Sequence, residues 1–205
     1  MPAGLHVPGN NLRPEVLFYQ PNVTEKKVKA TLLDADEFER TLSQLAHEIK
    51  ERHESLEQLA IIGIRTRGEF IGRRIADLLA GLEGNEIKFG TVDVTFYRDD
   101  FRTHLPSPEI GPTNIPFGVD NLQIVLVDDV LYTGRTVRAA INSIMDFGRP
   151  AAIELAVLVD RGHRELPIRA DYLGRNLPTA SNEHIHVHVV EVDGVDEVLL
   201  LDYGQ

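Results

Sequence analysis

The feature that most constrains this chain is the run Ile124-Val125-Leu126-Val127-Asp128-Asp129-Val130-Leu131-Tyr132-Thr133-Gly134-Arg135-Thr136. Four consecutive apolar residues bounded by polar ones read as a strand covered on both faces. Two carboxylates end it, at the carboxyl edge where open α/β sheets bind their ligands. The turn Thr133-Gly134-Arg135-Thr136 then opens a helix, Val137 to Phe147, closed by Gly148 and Pro150. Backbone N–H groups and hydroxyls at such a helix start suit a phosphate. Adjacent carboxylates suit sugar hydroxyls. Together they point to a ribose 5-phosphate ligand, with the acids on the 2′ and 3′ hydroxyls and the turn on the 5′-phosphate.

The rest of the chain alternates in the same manner. Leu59 to Ile64 and Ile153 to Val159 are short apolar runs that read as buried strands. Ile87 to Tyr97, Ile185 to Val192 and Val198 to Leu201 read as further strands. Phe38, Leu42, Leu45, Ala46 and Ile49 keep helical spacing behind Asp34 and Glu37, which form a capping-box pair. Phe70 to Leu79 is a second amphipathic helix. Alternating strands and helices imply an α/β fold, with a mostly parallel central sheet flanked by helices on both faces.

Three stretches resist this pattern. Residues 1–30 carry Pro2, Pro8, Pro14 and Pro21 and read as an N-terminal arm ahead of a domain over 31–205. Arg98 to Asp120 holds four prolines and reads as a long functional loop. Asp160 to Pro178 is irregular. His184, His186 and His188 would share one strand face, and read as an exposed or subunit-facing row rather than a metal site.

Composition narrows the function classes. With 205 residues, the chain suits one domain plus an arm. A net charge of −11 excludes a protein-wide basic field but allows a local basic patch. The absence of cysteine excludes a disulfide framework, a thiolate zinc site and a cysteine nucleophile. No run approaches a membrane span, and the first residues do not read as a secretory signal, so a cytoplasmic protein is expected.

The acid-pair segment with its Thr-Gly-x-Thr turn resembles the phosphoribosyl pyrophosphate (PRPP) motif of type I phosphoribosyltransferases. Gly63-Ile64-Arg65-Thr66-Arg67-Gly68, Thr95-Phe96-Tyr97-Arg98-Asp99-Asp100 and the block from Leu158 through Asp160-Arg161-Gly162-His163-Arg164 to Tyr172 are similar to the bifunctional PyrR proteins. That family comprises pyrimidine operon attenuation regulators that are also uracil phosphoribosyltransferases. The resemblance runs from about Asp34 to near the C-terminus. It implies the type I phosphoribosyltransferase fold with a small hood around residues 160–180. It also implies transfer of phosphoribose from PRPP to uracil, giving UMP and pyrophosphate.

Residue by residue, the resemblance implies that Thr66, Arg67 and Gly68 hold pyrophosphate. Val130, Leu131, Tyr132, Thr133, Gly134, Arg135 and Thr136 cradle the 5′-phosphate, while Asp128 and Asp129 stabilise the ribose ring. Arg98, in a mobile catalytic loop, reaches the leaving group. Val159, Asp160 and Arg161 line the uracil site, largely through backbone groups. Mg²⁺ is implied as cofactor, held mainly through PRPP and waters, with no protein ligand assigned. A homo-oligomer is also implied, as is UMP- or UTP-dependent binding of pyrimidine leader mRNA, with His47, His163, Arg164, Arg169 and Arg175 as its basic face. Gln44 stands where family members often carry a basic residue, which weakens the RNA case. Two narrower functions stay open: a phosphoribosyltransferase without RNA regulation, and a nucleotide- and RNA-binding regulator with little catalysis.

Overall fold

Five strands form a central parallel sheet in the order β3-β2-β4-β5-β6. They are β2 (Leu59–Ile64), β3 (Lys88–Val92), β4 (Gln123–Leu131), β5 (Ala152–Asp160) and β6 (Tyr172–Asn176). The structure, a computed structural model, describes residues 27–94 and 113–202. Arg98, the expected catalytic-loop residue, lies outside the described residues, as does most of the arm.

β2 is buried along its whole length and β4 from Ile124 to Asp128. The cause is that the sheet is covered twice. Ile61, Val125 and Val127 point into one core with α1 (Ala35–Arg52) and α2 (Arg67–Glu83), while Ile62, Ile124 and Leu126 point into a second with α3 (Arg135–Met145). Strands covered on both faces must be apolar at every position, so they show no alternation. The capping box at the start of α1 is present. Asp34 Oδ1 accepts the Glu37 N–H at 2.9 Å, and the Glu37 carboxylate accepts the Asp34 N–H at 3.3 Å.

Strands from the first and last parts of the described residues add a second, antiparallel layer not anticipated from the sequence. β1 (Lys27–Leu33), β8 (Glu197–Asp202) and β7 (Glu183–His188) form a sheet in the order β1-β8-β7. β1 begins inside the stretch read as arm. The strand expected over Ile185–Val192 stops at His188, and the short helix α4 (Val190–Asp193) follows. The irregular stretch after Asp160 contains β6. Among the described residues no helix is long and apolar enough to cross a membrane.

The amino edge of the parallel sheet is clamped by a polar cluster. His53, at the end of α1, is 6% exposed. Its Nδ1 lies 2.5 Å from Gln123 Oε1 on β4, and its Nε2 lies 3.0 Å from Glu154 Oε2 on β5. The Tyr172 hydroxyl donates to the same Glu154 oxygen at 2.7 Å. One helix end and three strand starts are thus tied through groups that would be costly to bury alone.

Burial, and then the Glu154 carboxylate, push the Tyr172 phenol above its ordinary value of 10.0. The stabilisation from the protonated phenol is complete below that ordinary value. It is lost as pH rises through the raised folded-state value. Tyr172→Phe should therefore abolish this alkaline loss. At neutral pH it should lower stability by about 0.5–1.5 kcal/mol, by removing one of the hydrogen bonds to the Glu154 carboxylate, which keeps its His53 partner. Denaturant titrations of both proteins at neutral and alkaline pH check this, and parallel pH profiles would contradict it.

Candidate active site at the carboxyl edge

The parallel register places the carboxyl ends of β2, β4 and β5 side by side. Gly63 pairs with Val127, and Leu131 with Asp160. The loops that follow these strands carry the residues expected to bind pyrophosphate, ribose phosphate and base. Sequence-distant groups thus meet on one edge.

The junction of β2, α2 and β4 is unusually tight. A methyl group built on Gly68 would sit 2.7 Å from the Val127 carbonyl oxygen and 3.0 Å from Asp128 Cα. One on Gly63 would sit 2.6 Å from Glu69 Cα. Only glycine allows the Thr66-Arg67-Gly68 loop to lie directly on the strand end that carries the acids. The Arg65–Thr66 peptide bond in this loop is cis.

Asp128 is 4% exposed, and Asp129 is half-buried. Asp128 Oδ1 accepts the Asp129 N–H at 3.0 Å, and Asp129 Oδ1 accepts the Val130 N–H at 2.9 Å. These contacts orient both carboxylates. Beyond them the chain enters the turn. Thr133 is 4% exposed and its Oγ1 accepts the Arg135 N–H at 3.3 Å. Gly134 adopts φ 91°, which brings the chain round to the first turn of α3. The start of α3 therefore opens beside the acids, with the partial positive end of its dipole facing the edge.

The hood loop is stitched to this turn. Arg161 N–H donates to the Leu131 carbonyl at 3.1 Å, and the N–H groups of Glu165 and Leu166 both reach the Thr133 carbonyl, at 3.0 and 3.1 Å. The Arg161 guanidinium is buried over the Tyr132 ring, 4.2 Å from its centroid. It donates to Thr179 Oγ1 at 3.1 Å and to the Glu183 carbonyl at 2.6 Å. Burial lowers its pKa, opposed by the neighbouring Tyr132 and Glu183. Asp160 Oδ1 accepts the Gly162 N–H at 2.9 Å, and its other oxygen pairs with Arg164.

The residues expected to form a basic face are dispersed in duty. Arg164 donates to the carbonyls of Tyr132 at 2.6 Å, Ile168 at 2.9 Å and Gly162 at 3.1 Å, so much of its guanidinium braces the hood. His163 is exposed, and its Nε2 lies 2.6 Å from the Thr179 carbonyl. Arg169 is exposed; Arg175 is half-buried on β6, paired with Val159. His47 stands on the exposed side of α1, the helix packed over β6, with Nδ1 2.7 Å from the Ser43 carbonyl.

Sequence reasoning missed the acidic residues that face α2. Arg67 is forked onto Asp193, with Nε–Oδ2 3.1 Å and Nη2–Oδ1 2.8 Å. Arg74 is held by Glu191 and Asp196. The available signal was the acid-rich stretch Glu191-Val192-Asp193-Gly194-Val195-Asp196, whose glycine and acids mark a polar turn at the end of the predicted strand.

Comparison with known proteins follows the same lines. A family profile described as phosphoribosyl transferase domain matches residues 30–192. The bifunctional protein PyrR of Deinococcus deserti is 56% identical over 174 residues, covering 85% of this chain and 95% of that protein. The bifunctional protein PyrR of Elusimicrobium minutum is 51% identical over 177 residues, covering 86% and 97%. Among solved structures, a hypoxanthine phosphoribosyltransferase of Staphylococcus aureus superposes with a TM-score of 0.63 at 16% identity, covering 84% of this chain and 92% of that one. One from Trypanosoma cruzi gives 0.65 at 16% identity, covering 85% and 91%. Likeness at that identity concerns the fold alone.

The tight junction has a measurable consequence. Gly68→Ala should cost about 1–3 kcal/mol, because backbone must move to admit the methyl group. Gly81→Ala, on the same helix with open space around it, should instead stabilise by about 0.5–1 kcal/mol. Thermal unfolding of both variants tests the pair; equal shifts would contradict the packing argument.

Proposed function

Because the chain belongs to the phosphoribosyl transferase family and, within it, to the bifunctional PyrR proteins, we propose that it converts uracil and PRPP to UMP and pyrophosphate and regulates pyrimidine leader mRNA. The observation that carries the catalytic half is the seating of the Thr66–Gly68 loop on the strand end that bears Asp128 and Asp129. A pyrophosphoryl group and a ribose can be held together there, because the two loops are in backbone contact.

Departure of pyrophosphate leaves positive charge on the ribose ring. Asp128 and Asp129 supply fixed negative charge beside it, in a partly desolvated edge where such charge acts strongly. The helix start at Thr133–Thr136 holds the 5′-phosphate with backbone N–H groups and hydroxyls. Arg67, on the neighbouring loop, takes the leaving group. Val159, Asp160 and Arg161 offer backbone groups to the base, with the Arg161 side chain bracing the hood instead of projecting from it. Arg98 is assigned to closure over the leaving group. No strong acid or base is required, since alignment and electrostatics supply the acceleration.

The oxygen donors beside the pyrophosphate loop suit a hard cation. Mg²⁺, held mainly through PRPP and waters with Asp128 and Asp129 nearby, would neutralise charge on the pyrophosphate.

For the regulatory half, the exposed His163 and Arg169 lie in the hood loop between β5 and β6 and the half-buried Arg175 lies on β6, so the base site and these basic residues belong to one continuous segment. With a net charge of −11, non-specific affinity for RNA is expected to be low. UMP or UTP is the ligand under which leader mRNA binds.

Two outcomes follow. Asp129→Asn should lower kcat for UMP formation by about a hundredfold, while the melting temperature stays near that of the parent. Unchanged turnover would remove the carboxylate from the mechanism. Arg169→Ala combined with Arg175→Ala should weaken UMP-dependent leader RNA binding by at least about tenfold, with UMP formation near normal. Equal RNA affinity in a filter-binding titration would move the RNA face elsewhere.

A further inference from the structure

We propose that Asp193 is a positioning residue for the pyrophosphate subsite: it holds the guanidinium of Arg67 in the orientation that meets the leaving group. This rests on the phosphoribosyl-transfer reading given above. Asp193 lies 126 residues from Arg67 in the chain, on a short helix that none of the expected ligand-binding segments includes.

The geometry is a fork against a fork. Arg67 Nε donates to one Asp193 oxygen at 3.1 Å and Nη2 to the other at 2.8 Å. Pairs of this kind fix a guanidinium in its plane as well as in place. The pair uses the Nε–Nη2 edge and does not use the Nη1 end, which carries two further donors for an anion. Without the carboxylate, a long arginine chain at the start of α2 would sample many rotamers, and pyrophosphate would have to order it on binding.

The carboxylate is itself anchored. Asp193 Oδ2 also accepts the Val189 N–H at 3.0 Å. Its side chain is 18% exposed and that of Arg67 29%, so solvent screens the pair only in part. Burial would raise the acid's pKa, but the Arg67 and Val189 donors outweigh it and hold the carboxyl below its ordinary value of 3.8, so the group is ionised at neutral pH.

A second pair fixes the helix that carries Asp193. Two turns further along α2, Arg74 Nη2 and Nε donate to Glu191 at 2.6 and 2.9 Å, and Nη1 and Nη2 donate to Asp196 at 2.8 and 2.9 Å. Asp196 also accepts the Val190 N–H at 2.9 Å. α4 is therefore docked on α2 without help from Arg67. That arrangement is what a positioning residue needs: the carboxylate is held by its own surroundings and presented to the arginine.

The test is calorimetric titration of the full chain with magnesium pyrophosphate and, separately, with UMP, alongside steady-state kinetics. Asp193→Asn should weaken pyrophosphate binding by about tenfold and raise KM for PRPP by a similar factor. It should leave kcat and UMP affinity within about twofold, since the lost contact serves ground state and transition state alike. Asp193→Glu, which keeps the charge, should recover part of the loss. In an Arg67→Ala background, Asp193→Asn should have no further effect on pyrophosphate affinity.

Several results would overturn the role. Pyrophosphate affinity unchanged in Asp193→Asn would do so, and additive losses in the double variant would reduce Asp193 to a structural support. Tighter pyrophosphate binding in Asp193→Asn would make the carboxylate a competitor for Arg67. A parent protein that binds UMP but no pyrophosphate would instead sink the transfer reading, and this role with it. That outcome is distinct, because it appears before any substitution is made.

Discussion

The close approach of α2 to the carboxyl end of β4 is the constraint on which the rest of the site depends. At Gly68 the helix backbone lies against Val127 and Asp128, with no room for a side chain. The Thr66–Gly68 loop and the strand end that bears Asp128 and Asp129 are thereby set at a fixed spacing by backbone packing alone. Under the proposed function, two carboxylates, one arginine and a helix start then need little else to place them, because the sheet has already set where they stand.

Around that junction the molecule divides its polar groups between two edges. At the amino edge, His53, Gln123, Glu154 and Tyr172 satisfy one another and tie α1 to the sheet. At the carboxyl edge, the buried Asp128, the half-buried Asp129 and the turn that opens α3 lie together. The hood belongs to the second edge, but its own arginines are largely spent internally. Arg161 ties the hood to Thr179 and to the Glu183 carbonyl at the start of β7, and Arg164 holds carbonyls of the hood and of Tyr132, so hood and turn are mechanically joined. The connection between β7 and β8 adds a further support: Asp193 grips Arg67, and Glu191 and Asp196 grip Arg74.

Much of this was legible in the sequence where the controlling physics is local. The apolar runs of β2, β4 and β5 declare strands buried on both faces, and Asp34 with Glu37 declares the start of α1. The acid pair followed by Thr-Gly-x-Thr marks the end of β4 and the start of α3. What was not legible depends on pairing over long distances. β1 is mostly exposed, and nothing in Lys27–Leu33 announces that its partner is Glu197–Asp202. The grip of Asp193 on Arg67 is a tertiary fact of the same kind. Where the side chains of Arg161 and Arg164 point is a tertiary fact too, because an arginine in a loop gives no local sign of its partners. Only the fold reveals that these two turn inward to satisfy carbonyls.

The central claim is that this edge transfers phosphoribose to a pyrimidine. The most direct measurement supplies PRPP and Mg²⁺ with uracil, hypoxanthine, guanine and adenine in parallel and follows nucleotide formation. UMP as the sole product is the predicted result. Purine nucleotides in place of UMP would contradict the reading of the hood, and no product from any base would contradict the catalytic account itself.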